Sequence, residues 1–71
     1  PALVRFLDPS EHPADDERVI VHVPKLDQRE RGLGNGIYFG RYIAGLEEWR
    51  IDGSPNGWEI DWWFRIPEPN R

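Results

Sequence analysis

The chain has 71 residues, 38% of them hydrophobic, no cysteine, and a formal net charge of −4. That bounds it to a single small domain, 1–71, burying about 60% of the surface its unfolded form exposes. No disulfide or thiolate zinc site can staple it, and thirteen acids against nine bases exclude a general affinity for nucleic-acid phosphates.

Leu, Ile, Val and Phe make up 18 residues, enough to place the chain among folded rather than disordered sequences. With two histidines, a multi-His metal site is not expected, and no cofactor is implied. No stretch approaches the roughly 20 apolar residues of a membrane span, and no signal-peptide pattern opens the chain. A cytoplasmic location is the expectation.

Seven glycines and seven prolines cut the chain into short alternating runs, the strand signal. Leu3 to Leu7 reads as an edge strand stopped by Asp8-Pro9. Asp8 to Glu17 is polar and acidic. Arg18 to Val23 sets Val19, Val21 and Val23 on one face and Ile20 and His22 on the other, and Pro24 ends it because proline cannot donate to a ladder. Pro24 to Gly32 is compatible with one or two helical turns.

Ile37 to Ile43 is the second clear run. Ile37, Phe39, Arg41 and Ile43 share one face, and Tyr38, Gly40 and Tyr42 the other. Gly40 marks a bulge or a close approach by a neighbour. Leu46 to Ile51 fits helix or strand spacing, with strand preferred. The turn chemistry of Asp52 to Gly57 then closes a hairpin onto Trp58. From Trp58 to Ile66, Trp58, Ile60, Trp62, Phe64 and Ile66 alternate with Glu59, Asp61, Trp63 and Arg65. Five large apolar groups in phase predict a central strand with those five in the core and Trp63 outside. The expected fold is all-β, or β with one short helical turn. It is a single antiparallel sheet of four to five strands, with curling into a small barrel as the variant.

Few constellations carry chemistry. The acids between Asp8 and Glu17, with His12, match no metal-loop spacing and read as a solvated loop or an acidic partner surface. Asp52-x-Ser54-x-Asn56-Gly57 copies the start of a calcium loop, but Glu59 and Trp63 stand where an apolar residue and a bidentate Glu are required. Gly32 to Gly36 lacks the following helix that phosphate loops use. The only hydroxyl nucleophiles of the Ser/Thr type are Ser10 and Ser54, neither in a nucleophile-elbow context. Glu59 and Asp61 lie about 7 Å apart by strand rise, with no cleft to separate their environments. The expectation is a non-enzyme.

The aromatics offer one candidate site. Trp63, with Tyr38 and Tyr42 and ringed by Arg65, Glu59 and Asp61, has the composition of a binding hot spot. Its alternative is a second small core covered by the N-terminal segment or by Lys25–Gly36. Asp15, Asp16 and Glu17 are the acidic candidates for partner contact.

The ends of the chain resemble a known family. Pro13-x-x-Asp16-Glu17-Arg18-Val19-Ile20-Val21 is similar to a Pro-x-x-Gly-x-x-Val-Leu-Val segment. The closing Trp63-Phe64-Arg65-Ile66-Pro67-Glu68-Pro69 is similar to a terminal Trp-Met-Pro-Leu-Pro-Glu-Pro. Gly36-x-Tyr38 and Trp49-Arg50 fall between them in the same order. These are features of short phage and prophage proteins, the family called domain of unknown function 551. The chain departs from it at Trp62, where the family carries His, at Arg65, where it carries Pro, and at Phe6, where it carries Trp. The resemblance implies a phage-related origin, hence the host cytoplasm, and supplies no activity.

Three readings follow. The first is a non-enzymatic protein-binding module whose partner is a host or phage protein. Its narrower form is a phage-type accessory protein that inhibits a host defence complex such as a CRISPR effector, with the acidic segment competing for a basic groove. The second is a β domain that binds a nucleotide or sugar. The third is a structural homodimer subunit. None involves direct nucleic-acid or membrane binding.

Overall fold

A computed structural model describes residues 5–26 and 32–67. They form one five-stranded antiparallel sheet: β1 Arg18–His22, β2 Ile37–Ile43, β3 Glu48–Ile51, β4 Gly57–Trp58 and β5 Trp62–Arg65, in the order β4-β3-β2-β1-β5. A single 3-10 turn, Pro24–Leu26, follows β1, beginning at the proline as expected. The rest of the segment expected to be helical falls partly at 27–31, outside the described residues. The expected Leu3–Leu7 strand is represented by one bridge, Leu7 to Trp63, and its first residues also lie outside.

β1 to β4 form a meander, and β5 returns to pair with β1. β4 and β5 therefore lie at opposite margins of the sheet. Only Glu59, Ile60 and Asp61 connect them. Four residue steps reach at most about 14 Å, whereas four flat strand spacings would separate the margins by about 19 Å. The sheet must curl to bring its margins together, yet the ladder between them is not closed.

Gly40 permits the curl. A Cβ there would stand 2.5 Å from the Arg50 carbonyl oxygen and 3.3 Å from Val21, so β2 and β3 approach at a spacing that only glycine allows. This is the close approach the sequence signalled.

The concave face holds the core: Val19, Val21, Val23, Tyr38, Tyr42, Trp49, Ile51 and Trp63, with Leu26 and Ile60 added from the connections. Each of the three valines is fully buried, a gain of about 1.5–3 kcal/mol apiece. Leu7 and Trp58 pack against the edge of this cluster.

The long alternating run from Trp58 to Ile66 is not one strand, and it is not central. The crossing at Glu59–Asp61 resets its phase. Trp58 and Ile60 remain on the core side, but Trp62 and Phe64 are only half-buried and Ile66 is exposed. Trp63 is 1% exposed. Cross-strand pairing decides this: Trp63 stands opposite Val21, and Val21 is in the core. Both backbone polar groups of Trp63 bond outward to Leu7, so Trp63 and Val21 form the non-hydrogen-bonded kind of pair, in which side chains lie closest.

Candidate functional site

The aromatic patch inferred from the sequence is core. Trp63, Tyr38 and Tyr42 do share a face, but it is the concave one, and both tyrosines are only 6% exposed. The Tyr42, Trp49 and Trp63 rings succeed one another at 5.0 and 5.7 Å between centroids. As they stand, these three side chains present nothing to a partner.

The cover is the N-terminal segment. The indole N–H of Trp63 is donated to the carbonyl oxygens of Glu11 at 2.8 Å and Asp8 at 3.2 Å. His12 stacks on Tyr42 at 3.9 Å, so its ring faces the core rather than the neighbouring carboxylates. Arg65 lies over the Trp63 ring at 5.1 Å and bonds Glu17.

Four of the five acids of this segment are engaged within the chain. Asp8 accepts from the Ser10 N–H, which holds its carboxyl below the usual carboxylate range. Asp15 accepts the Ala44 N–H at 2.9 Å. Asp16 accepts from Arg41 at 3.2 Å, and its own N–H is donated to Tyr42. Glu17 accepts from the Ala14 N–H and from Arg65. The segment is a strap tied down by its own carboxylates. Glu59 and Asp61 are exposed, and an Asp61 carboxylate oxygen lies 2.7 Å from His22 Nδ1.

The other motifs settle as turns. Ser54 Oγ accepts the Trp58 indole N–H at 3.0 Å, fixing the β3–β4 hairpin. Gly32, Gly34, Asn35 and Gly36 all take positive φ, the backbone of a multiple turn and not of a phosphate loop. Among the described residues, no group of three or more His, Cys, Asp or Glu side chains is placed to hold a metal ion. No helix there is long and apolar enough to cross a membrane.

The convex face is different. Register sets Trp62, His22 and Ile37 in one row across β5, β1 and β2, and Phe64, Ile20 and Phe39 in the next. All six are half-buried. No strand or helix of the described residues packs across them. Phe6, 63% exposed, stands edge-on to Trp62 and Phe64 at 4.9 and 5.5 Å. Trp62 also stacks on His22. Local pattern hides this patch, because the alternation from Trp58 to Ile66 puts Trp62 and Phe64 in the expected core. The signal available was the apolar side of Ile37–Ile43, which alternates with the two tyrosines.

One row further along the same face is charged. Arg18, Arg41 and Arg50 stand directly opposite one another across β1, β2 and β3. Arg18 and Arg41 flank Asp52, at 2.7 and 3.7 Å, and Arg50 bonds Glu48 at 2.8 Å. The Arg18 guanidinium also lies over the Phe39 ring at 4.4 Å, joining the charged row to the apolar one.

These observations define a small, curled, all-β domain with a filled concave core and a convex sheet face that no strand or helix of the described residues covers. Comparison of the chain with protein-family models, curated proteins and solved structures found no match. The resemblance to domain of unknown function 551 therefore rests on the quoted residues alone.

Proposed function

We propose that the protein is a non-enzymatic protein-binding module that docks through the convex patch of Ile20, Ile37, Phe39, Trp62 and Phe64, with Phe6 and His22 at its margin. The observation that carries this reading is a contiguous row-on-row cluster of aromatic and β-branched side chains with no strand or helix of the described residues over it. Such patches on small monomers mark interaction sites, and aromatic residues dominate interface energetics.

Shape selects the partner. The patch spans three strands and two rows, a few hundred Å² at about 4.8 Å between strands and about 7 Å between rows. Two convex copies touching there would bury less than the roughly 1,200 Å² of a stable interface. A partner with an apolar cleft closes around a convex surface and buries more of it. Arg18 at the patch margin, 56% exposed, favours a carboxylate on the rim of that cleft. A host or phage protein of this kind is the proposed partner, and inhibition of a host defence complex is one consequence of such docking. The engaged carboxylates of the strap favour the apolar patch over acidic mimicry as its basis.

The test compares wild type with Phe64→Glu, Phe39→Glu and, as a control on the strap, Glu11→Ala, each first shown to be folded. Stoichiometric partners captured by wild type and Glu11→Ala, but lost from both patch variants, support the reading. Partners retained by the patch variants overturn it, as does the absence of any stoichiometric partner.

A further inference from the structure

We propose that the recess over the arginine row binds the phosphoryl group of a small organic phosphate. This is a second site, sharing Arg18 with the margin of the docking patch, and it requires no protein partner. The recess has a volume of about 670 Å³ and is lined by Arg18, Arg41, Arg50, Asp52, Ile43 and Leu46, among others.

The row needs an explanation. Like charges directly opposite on neighbouring strands are destabilising, and here three guanidiniums stand in succession across three strands. Asp52, Asp16 and Glu48 offset the repulsion by pairing with the three guanidiniums. The placement also lines one recess with three guanidiniums. The contacts at Asp52 and Asp16 occupy one terminal nitrogen of Arg18 and two of Arg41, and Glu48 occupies two nitrogens of Arg50. Each guanidinium carries five N–H donors in a planar fork suited to oxyanions, so each keeps donors that these carboxylates do not occupy.

Asp52 reveals the fit. Its two carboxylate oxygens lie between Arg18 and Arg41, one toward each. That is the geometry a phosphoryl oxygen pair would adopt. Asp52 is thus an internal competitor for the notch. A phosphomonoester is close to a dianion at neutral pH, and can displace a monoanionic carboxylate that is 41% exposed. Monoanions cannot do so on charge, which makes the site selective for dianions.

Two further observations fix the class of ligand. The chain carries a net charge of −4, which repels an extended polyanion, so the ligand is compact. Ile43 and the exposed Leu46 form an apolar wall beside the arginines, which suits a small hydrophobic body attached to the phosphate.

Phenyl phosphate is the probe, titrated near pH 7.5 at constant ionic strength, with the side-chain N–H resonances of Arg18, Arg41 and Arg50 as the readout. Wild type should show a saturable shift, and inorganic phosphate a weaker one. Asp52→Asn removes the competitor and should tighten binding about fivefold, the factor that one unit charge at about 4 Å contributes in water. Arg41→Gln should lose it. If that variant does not fold, Arg18→Gln, at a more exposed position, makes the same test. The absence of a saturable shift in both wild type and Asp52→Asn overturns the proposal, and so does an Asp52→Asn variant that binds no tighter than wild type.

Discussion

The indole N–H of Trp63 reaches the carbonyl oxygen of Glu11, 52 residues earlier in the chain, at 2.8 Å, and shares its proton with that of Asp8. One side chain thereby closes the core and anchors its cover. Trp63→Phe keeps an aromatic ring but removes the donor and leaves two carbonyls without it. Loss of a buried hydrogen bond and part of a packed ring should cost about 2–3 kcal/mol, read as a lower urea midpoint. In wild type, iodide should leave the emission of Trp63 unquenched. A folded variant with unchanged midpoint would show that the strap does not depend on the indole.

Gly40 is the second position where one atom decides the fold. An added Cβ would meet the Arg50 backbone oxygen at 2.5 Å, and a backbone atom in a paired strand cannot move aside as a flexible side chain can. Gly40→Ala should therefore destabilise by about 1–3 kcal/mol, the range for overpacking a well-filled interior. Gly45 is a matched control, since a Cβ there meets nothing within 4 Å. Comparable losses of stability at both positions would show that the close approach is not the cause.

Much of the sheet was legible in local pattern. The valines of β1, the alternation in β2 and the turn chemistry before Trp58 each pointed to the observed element, because each depends on neighbours in sequence. Which side of the sheet becomes core was not assigned by local pattern in β1, where both faces carry apolar groups. In β5 it was misassigned, because the alternation from Trp58 to Ile66 continues through the crossing at Glu59–Asp61 while the backbone does not. Hydrophobic count favoured Trp62 and Phe64; pairing with Val21 places Trp63 inside. The arginine row was invisible for a related reason. Arg18, Arg41 and Arg50 are far apart in sequence, and only strand register makes them neighbours.

Asp8 gives the chain an acid-dependent contribution with a definite sign. Its carboxylate accepts first from the Ser10 N–H and then from the Ser10 side chain, and both lower its pKa below the ordinary 3.8. Because the folded value lies below the unfolded one, the stabilisation is present above about pH 4 and is lost as the pH falls through the lowered folded value. The Asp8 carboxyl resonance should therefore titrate below that of an unstructured Asp peptide. Asp8→Asn should flatten the same acid limb of the stability profile. An Asp8 midpoint at or above the peptide value would remove the Ser10 interaction as its cause.

The strap's two best-placed acids should differ in weight. Glu17 meets Arg65, whose side chain is 57% exposed, and exposed ion pairs contribute about 0–1 kcal/mol. Asp15 instead accepts the backbone N–H of Ala44 in the β2–β3 turn, tying the strap to that turn. A charged acceptor on a backbone donor is worth about 1.5–3 kcal/mol when it is sheltered and less at an exposed turn. Asp15→Ala should lower stability by about 1 kcal/mol, and Arg65→Gln by about half that or less. The two are distinguishable in salt. Because the Glu17–Arg65 pair is screened at high ionic strength, the effect of Arg65→Gln should fade in about 1 M sodium chloride while that of Asp15→Ala largely persists. Equal losses that vanish together in salt would mean that the strap is held by surface charge and not by its hydrogen bond to the turn.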